Sequence, residues 1–429
     1  MTMNIPLLTE CEVLIVGGGP AGALTGIASA REGAHTIIVE KNGFLGGNLT
    51  AAGVDTIYGL YSVGENPEKT IGGIVDEVIE KLEDQNACYL RPNTYGAGTG
   101  LTFSGENLKI ILESLALISG VKIYYHTIVP NVYFMDNQLF GCMVASKSGI
   151  QWIKASVIVD CTGDADVIAK AGGAFEKAGD VDPIQSCTTI FYMANVDVKK
   201  AKDFGKNAMW QVMKEATNDG DYKLPRIEGS FHETPTPGLI EANMTRVANV
   251  DTTSMISISD AEVEGRRQVQ EYVRFLINKI PGFKHSYLVK TGCQIGVRET
   301  RRVIGDYILQ KDDVLDGRKF GDAVVRCGQP IEDHHSGKDT RWVYVKDFGY
   351  YEIPYRSLIP KGLDNVLTAG RCLSASHDAH ASARSSGTAM GMGQAVGLAA
   401  VMALEKENNV RGIDVSELRK KLIKIGAPL

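Results

Sequence analysis

The chain has 429 residues, 44% of them hydrophobic and 22% charged, with a formal net charge of −6. These values exclude a disordered or fibrous chain, predict two domains, and leave neither a basic footprint for nucleic acid nor a polybasic patch for a membrane. The eight cysteines are scattered without a C-x-x-C pair, which excludes a local dithiol redox motif and argues against a cysteine-held iron–sulfur cluster.

In chain order, Glu12–Val16 is an apolar run of strand length, Pro20–Glu32 an Ala-rich helix, and His35–Val39 a second buried strand ending at Glu40. Residues 43–105 are Gly- and Asn-rich and predict active-site loops around one helix, Gly73–Gln85. Asn107–Ser119 predicts a helix and Val121–Tyr125 a strand. Val132–Lys154 alternates like an antiparallel ribbon with turns at Asp136-Asn137 and Ser148-Gly149, and Ser156–Asp160 predicts a further buried strand. From about Phe175 to Tyr355 the pattern changes to longer strands, Pro-containing turns and a helix over Asp260–Lys279. From Asn365 it returns to strand Val366–Ala369, a Gly/Ser-rich loop, a helix of small residues over about Ser386–Glu405 and a polar helical tail from Val410. The expected domains are therefore 1–174 and 356–429 forming one α/β unit, with 175–355 as a mixed α+β substrate domain. Neither a secretory signal nor a run of about 18 apolar residues is visible, so a cytoplasmic protein is expected, without a nucleic-acid or membrane partner.

Gly17-Gly18-Gly19-Pro20-Ala21-Gly22 places G-x-G-x-x-G directly after a strand and at the start of a helix. Gly17 serves the tight turn, Gly19 the approach of a pyrophosphate, and Gly22 close helix–strand contact. Free N–H groups and the positive dipole end of the helix favour phosphate, and Glu40 stands where a carboxylate meets ribose hydroxyls. Gly96-Ala97-Gly98-Thr99-Gly100 follows no expected strand and opens no expected helix, so it predicts a mobile loop rather than a second nucleotide site.

Six segments, VGGGPAG (16–22), EKNGFLGGN (40–48), DCTGDADV (160–167), QIGVRETRRVIGDY (294–307), YEIPYRSLIP (351–360) and NVLTAGRCLSASHDAHASAR (365–384), resemble the FAD-dependent oxidoreductase family within the glutathione-reductase and fumarate-reductase flavoprotein superfamily. The resemblance implies a Rossmann-type, glutathione-reductase-like FAD domain with a parallel sheet and a β-ribbon, completed by the C-terminal segment. It also implies roles for single residues: Glu40 and Lys41 at the ribose; Gly46, Gly47 and Asn48 at the diphosphate and flavin side; Val129 at the adenine; and Thr162, Gly163 and Asp164 over the adenosine half. Gly370, Arg371 and Asp378 would face the diphosphate, ribityl chain or flavin, and the helix start at Gly387 the flavin pyrimidine edge. Gly387, Gly391, Gly393 and Gly397 equally suit close helix–sheet packing.

The segment 374–384 carries His377, Asp378, His380 and Arg384 on what the sequence predicts to be a loop. His377 is the first candidate for acid–base work or substrate binding, with His380 second. Arg298, in a run with Arg301 and Arg302, suits a substrate carboxylate, and Tyr351 and Tyr355 could line the same space. Adjacent His334 and His335 make a poor chelate and predict a solvated loop; no metal site is expected. The expected activity is hydride transfer between FAD and a small polar organic substrate. A flavin monooxygenase and a flavin-binding electron-transfer subunit are the alternatives, and a homo-oligomer is compatible with the sequence.

Overall fold

A computed structural model describes residues 5–92, 96–334 and 340–429. Strand Leu7–Val16 is the axis of the main sheet and pairs in parallel with Thr36–Val39 on one side and Gly149–Asp160 on the other. Lys122–Tyr124 extends the sheet beyond Thr36–Val39, and Val366–Thr368 adds a further parallel strand along the end of Gly149–Asp160. Val13–Val16, Ile37–Val39, Val157–Val159 and Val366–Leu367 are buried throughout, as continuous apolar strands covered on both faces must be.

The ribbon is present as Ile128–Met135 and Gln138–Ser146, with Asp136 and Asn137 both at positive φ in its tight turn. It leads directly into Gly149–Asp160, a single strand of 12 residues where the sequence predicts two. Its first half pairs with Gln138–Ser146 and exposes alternate side chains, whereas its second half is buried on both faces. That change of environment within one strand reads in sequence as two elements.

Helix Pro20–Arg31 packs under helix Ser386–Leu404, and the glycines of the second helix make the contact. A Cβ at Gly393 would stand 2.2 Å from the Ala21 carbonyl oxygen, and one at Gly397 would stand 2.6 Å from that of Thr25. Helix Ser386–Leu404 is long and apolar enough to span a membrane, but 83% of its apolar window is buried inside the protein. Residues 43–92 and 96–105 hold more regular structure than the predicted loops. Thr56–Ile57, Gly100–Phe103 and Cys88–Arg91 form an antiparallel sheet, so the 96–100 glycines follow a strand and open another.

A second, four-stranded antiparallel sheet runs Ser230–Glu233, Ile240–Asn243, Phe191–Ala194, Tyr287–Thr291. Helices Lys206–Asn218 and Met255–Lys279 pack on it around Phe191, Met213, Tyr272, Phe275 and Phe283. The expected boundary near 355 does not coincide with a break in the core. Leu309, Val325, Tyr351 and Ile353 pack in the same cluster as Val13, Leu24 and Val396.

Candidate functional site

The glycine turn shapes a cleft of about 480 Å³ at the ends of the parallel strands. Gly17 has φ +97°, and a Cβ on it would lie 2.5 Å from the Cys161 carbonyl oxygen, so only glycine fits. Gly22 passes Gly17 at similarly short range. Gly19 is the N-cap of helix Pro20–Arg31 and supplies no capping side chain, while Pro20 has no N–H to satisfy. The first-turn amides beyond it are thereby left for a ligand. Gly47 crosses Gly19 so closely that a Cβ on Gly47 would sit 2.9 Å from the Gly19 Cα, and Gly46 donates its amide to the Gly18 carbonyl at 2.8 Å.

Of the residues expected at the cofactor, Gly17, Gly19, Ala21, Glu40, Lys41, Gly47 and Asn48 line the cleft on the N-terminal side. Val129, Thr162, Gly163, Asp164, Gly370 and Arg371 line it from the other strands. The Glu40 carboxylate is held by the Gly18 amide at 2.6 Å and by the Asn42 amide and side chain at 2.8 and 2.9 Å. Asp160, buried at the strand end, accepts from the Thr162 amide and hydroxyl and from the amides of Val167 and Ile168. Burial pushes its pKa up to about 6 against those hydrogen bonds, and the network fixes the Thr162–Asp164 turn over the cleft. Arg371 donates to Asp164 at 3.1 Å.

A smaller chamber of about 180 Å³ continues from the cleft and shares Asn48, Val297, Arg371 and Arg384 with it. Arg298 stands in this chamber and donates to the Ser186 carbonyl at 2.6 Å and the Thr188 hydroxyl at 2.8 Å. Burial first, then the charges of Arg384 and Arg226, push its pKa down to about 9. Arg384 donates to Gln185 and to the Glu332 carbonyl. Its Nε, like Arg371 Nη1, is buried without a hydrogen-bond partner among the described residues. Crowded, part-buried guanidinium groups with spare N–H groups suit an anion. His334, predicted on a solvated loop, is instead 5% exposed and lines the chamber, paired with Glu332 at 2.9 Å. Burial and Arg298 push its pKa down to about 3, so it is neutral and donates Nε2–H to the carboxylate. His335 lies outside the described residues.

Other expectations need correction. His377 lines neither cavity. It is clamped between Glu299, 3.0 Å from Nδ1, and Asp333, 3.4 Å from Nε2. Burial opposes its charge, but Asp333 and Glu299 outweigh it and raise the pKa to about 9. His380 is fully buried and meets the Arg371 carbonyl at 2.9 Å; burial lowers its pKa to about 3, so it supports the Arg371 backbone as a neutral donor. Segment 377–383 is a short helix rather than a loop, capped by Ser376. Helical geometry turns neighbouring residues to different sides. Asp378 accordingly points away from the cleft, towards Lys311 at 3.0 Å and Arg341. Gly387 packs on the Tyr58–Leu60 backbone and lines neither cavity, so close packing is its role. Tyr351 and Tyr355 are core residues, bonded to Ser382 and to the Val410 carbonyl.

Sequence reasoning missed Asp55, His232 and Glu241, whose donor atoms lie within 4.8 Å of one another in a third cavity. No spacing signal joins them, because they stand on three separate segments.

The cleft suits FAD on its own chemistry. Bare glycine backbones cross where a diphosphate would lie, helix amides stand beside them, Glu40 offers a carboxylate that a ribose could meet, and Arg371 and Arg384 hold spare donors on the same cleft. Comparison with known proteins agrees. The thiamine thiazole synthase of Sulfolobus acidocaldarius is 29% identical over 185 residues, covering 41% of this chain and 63% of that protein. Digeranylgeranylglycerophospholipid reductase 2 of Methanopyrus kandleri is 23% identical over 195 residues, covering 44% of this chain and 46% of that protein. Both matches span less than two thirds of the relative's length. In fold, the chain is similar to a geranylgeranyl bacteriochlorophyll reductase-like protein from Thermoplasma acidophilum, with TM-score 0.51 and 13% identity over 97% of this chain and 83% of the other. It is equally similar to p-nitrophenol 4-monooxygenase from Pseudomonas putida, with TM-score 0.51 and 12% identity over 98% of this chain and 87% of the other. The FAD dependent oxidoreductase model matches residues 12–422, and the chain is therefore a member of that family, an FAD-binding enzyme.

Proposed function

We propose that the enzyme transfers a hydride between its flavin and a small anionic organic substrate held in the chamber by Arg298 and Arg384. The observation that carries this reading is the chamber itself. It adjoins the cleft at Asn48, Val297, Arg371 and Arg384, and it holds two part-buried guanidinium groups, neither salt-bridged to a carboxylate among the described residues, with the Glu332 carboxylate on the wall offsetting part of their charge. FAD supplies the two-electron chemistry when bound. The chain's own residues bind and orient: Arg298 is fixed by Ser186 and Thr188, Arg384 by Gln185 and Glu332, and Asn48 is tied to the Val297 carbonyl at the chamber mouth.

The test is anaerobic bleaching of the flavin by hydroxy, amino and saturated carboxylic acids, each beside its methyl ester. Bleaching by an acid and not its ester supports the reading, and bleaching by neutral compounds alone overturns it. Arg298→Lys keeps the charge but not the fork, and should raise the half-saturating substrate concentration about 10- to 100-fold with flavin content unchanged. NAD(P)H consumption coupled to oxygen and hydroxylation of an added compound would instead favour a monooxygenase. Reduction that requires a second protein would favour an electron-transfer subunit.

A further inference from the structure

Flavin chemistry leaves unused a cavity of about 470 Å³ lined by Asp55, His232 and Glu241. It shares Val54, Thr56, Tyr58 and Asn243 with the chamber, so the two spaces are neighbours along one wall. His232 and Glu241 are direct cross-strand partners on Ser230–Glu233 and Ile240–Asn243, which puts their side chains on one face of the sheet. Asp55 reaches them from the segment before Thr56–Ile57, far away in sequence. The imidazole lies between the two carboxylates, with Nε2 2.7 Å from Asp55 Oδ1 and Nδ1 3.0 Å from Glu241 Oε2. Asp55 and Glu241 are each 2% exposed, and Asp55 Oδ2 is buried with no hydrogen-bond partner among the described residues.

Donor counting makes this arrangement incomplete. A neutral imidazole has one N–H and can satisfy one of the two carboxylates. The other ring nitrogen then turns a lone pair towards a carboxylate oxygen, and a proton or a cation must lie between them. A proton also resolves that contact, on the ring or on Glu241, whose pKa burial and Asp55 raise while Arg91 and Arg226 offset part of the charge, but either way Asp55 Oδ2 stays buried and unbonded among the described residues. A metal ion at Nε2 engages both Asp55 oxygens and balances both carboxylates. Glu241 then accepts Nδ1–H and orients the ring, the carboxylate–imidazole–metal arrangement that histidine ligands commonly adopt. Adjacent ligands each about 2.1 Å from one ion stand about 3.0 to 3.4 Å apart, so Nε2 and Oδ1, now 2.7 Å apart, would separate by a few tenths of an ångström to admit it.

We propose that Asp55 and His232, oriented by Glu241, bind a divalent first-row metal ion whose remaining positions open into the cavity. The mixed imidazole and carboxylate donors suit Mn²⁺, Fe²⁺ or Zn²⁺, and the absence of thiolate from the trio disfavours Cu⁺. An ion there would offer open positions to water or to an oxygen-bearing ligand on the wall shared with the chamber.

The test titrates EDTA-stripped, FAD-loaded protein with MnCl₂, anaerobic FeCl₂ and ZnCl₂ in separate calorimetric runs, with electron paramagnetic resonance for Mn²⁺. The expected result is stoichiometric binding of at least one of the three ions. Asp55→Asn and His232→Gln should each weaken it by about 100-fold or more, and Glu241→Gln by about 10-fold, with flavin absorbance retained. If a variant loses its flavin, the wild-type protein decides alone: ¹⁵N-histidine labelling should alter the bound Mn²⁺ spectrum through a directly coordinated nitrogen, or Zn²⁺ should shift the His232 ring-nitrogen resonance at one equivalent. Failure of all three ions to bind stoichiometrically overturns the proposal, as does binding that Asp55→Asn leaves unchanged. A doubly protonated His232 ring unaffected by added metal overturns it in favour of a proton. Metal content is read independently of flavin bleaching, so failure here leaves the hydride-transfer reading standing, and the reverse also holds.

Discussion

His377, fixed between Glu299 and Asp333, shows how a residue's neighbours decide its work. Its pKa is raised from 6.5 in the unfolded chain to about 9 in the fold. The folded protein therefore holds this proton more tightly. The stability it contributes is fully present below about pH 6.5 and is lost as pH rises through about 9. A loss on the order of 2 kcal/mol between pH 6 and pH 10 is expected, allowing for partial solvation of the pair. Urea midpoints across that range measure it, and His377→Gln should flatten the slope. A slope that survives in His377→Gln would assign it to other groups. The sequence marks His377 as chemically capable, but Glu299 and Asp333 arrive from other segments and turn it from a candidate acid–base group into a buried ion-pair member. Arg298, from the same run as Glu299, points the other way into the chamber.

At the scale of elements, the crossing of helices Pro20–Arg31 and Ser386–Leu404 joins the two ends of the chain, and it depends on glycine. Gly393→Ala would press a methyl against the Ala21 carbonyl, where 2.2 Å is available. Forcing the helices apart should cost about 1–3 kcal/mol, read as a lower thermal midpoint, and should reduce FAD content because Ala21 lines the cleft. An unchanged midpoint would show that the helices can shift freely. The regular elements of this domain are legible because their signals are local: an apolar run, a glycine turn, then small residues at helical spacing. Helix His377–Ala383 is harder to read. It has only 7 residues, and its polar side chains resemble those of a functional loop. Helix Lys206–Asn218 is missed for a related reason, since its buried stripe consists of Met209, Met213 and Ala216 rather than a strong apolar run.

Across the whole molecule, the cofactor site closes only when the C-terminal segment returns to the N-terminal sheet. Bound FAD should therefore stabilise the entire fold by mass action, about 2.7 kcal/mol at 100 times the dissociation constant. The thermal midpoint of flavin-stripped protein should rise steadily with added FAD. Gly19→Val should give a folded, colourless protein with no such rise. A Cβ on Gly19 meets only the Gly47 Cα within 4 Å, at 3.9 Å, so a side chain can start there, and valine's methyl groups would extend into the space a diphosphate needs. A yellow Gly19→Val protein would relocate the phosphate site. The sequence by itself determined the backbone chemistry of this protein: the turn at Gly17–Gly22, the strand ending at Glu40 and the C-terminal return, because each is written in adjacent residues. Only the tertiary structure decided which polar side chains face a cavity and which face one another. That choice rests on long-range packing, which set Arg298 and Arg384 in the chamber, locked His377 away from it, and gathered Asp55, His232 and Glu241 from three separate segments.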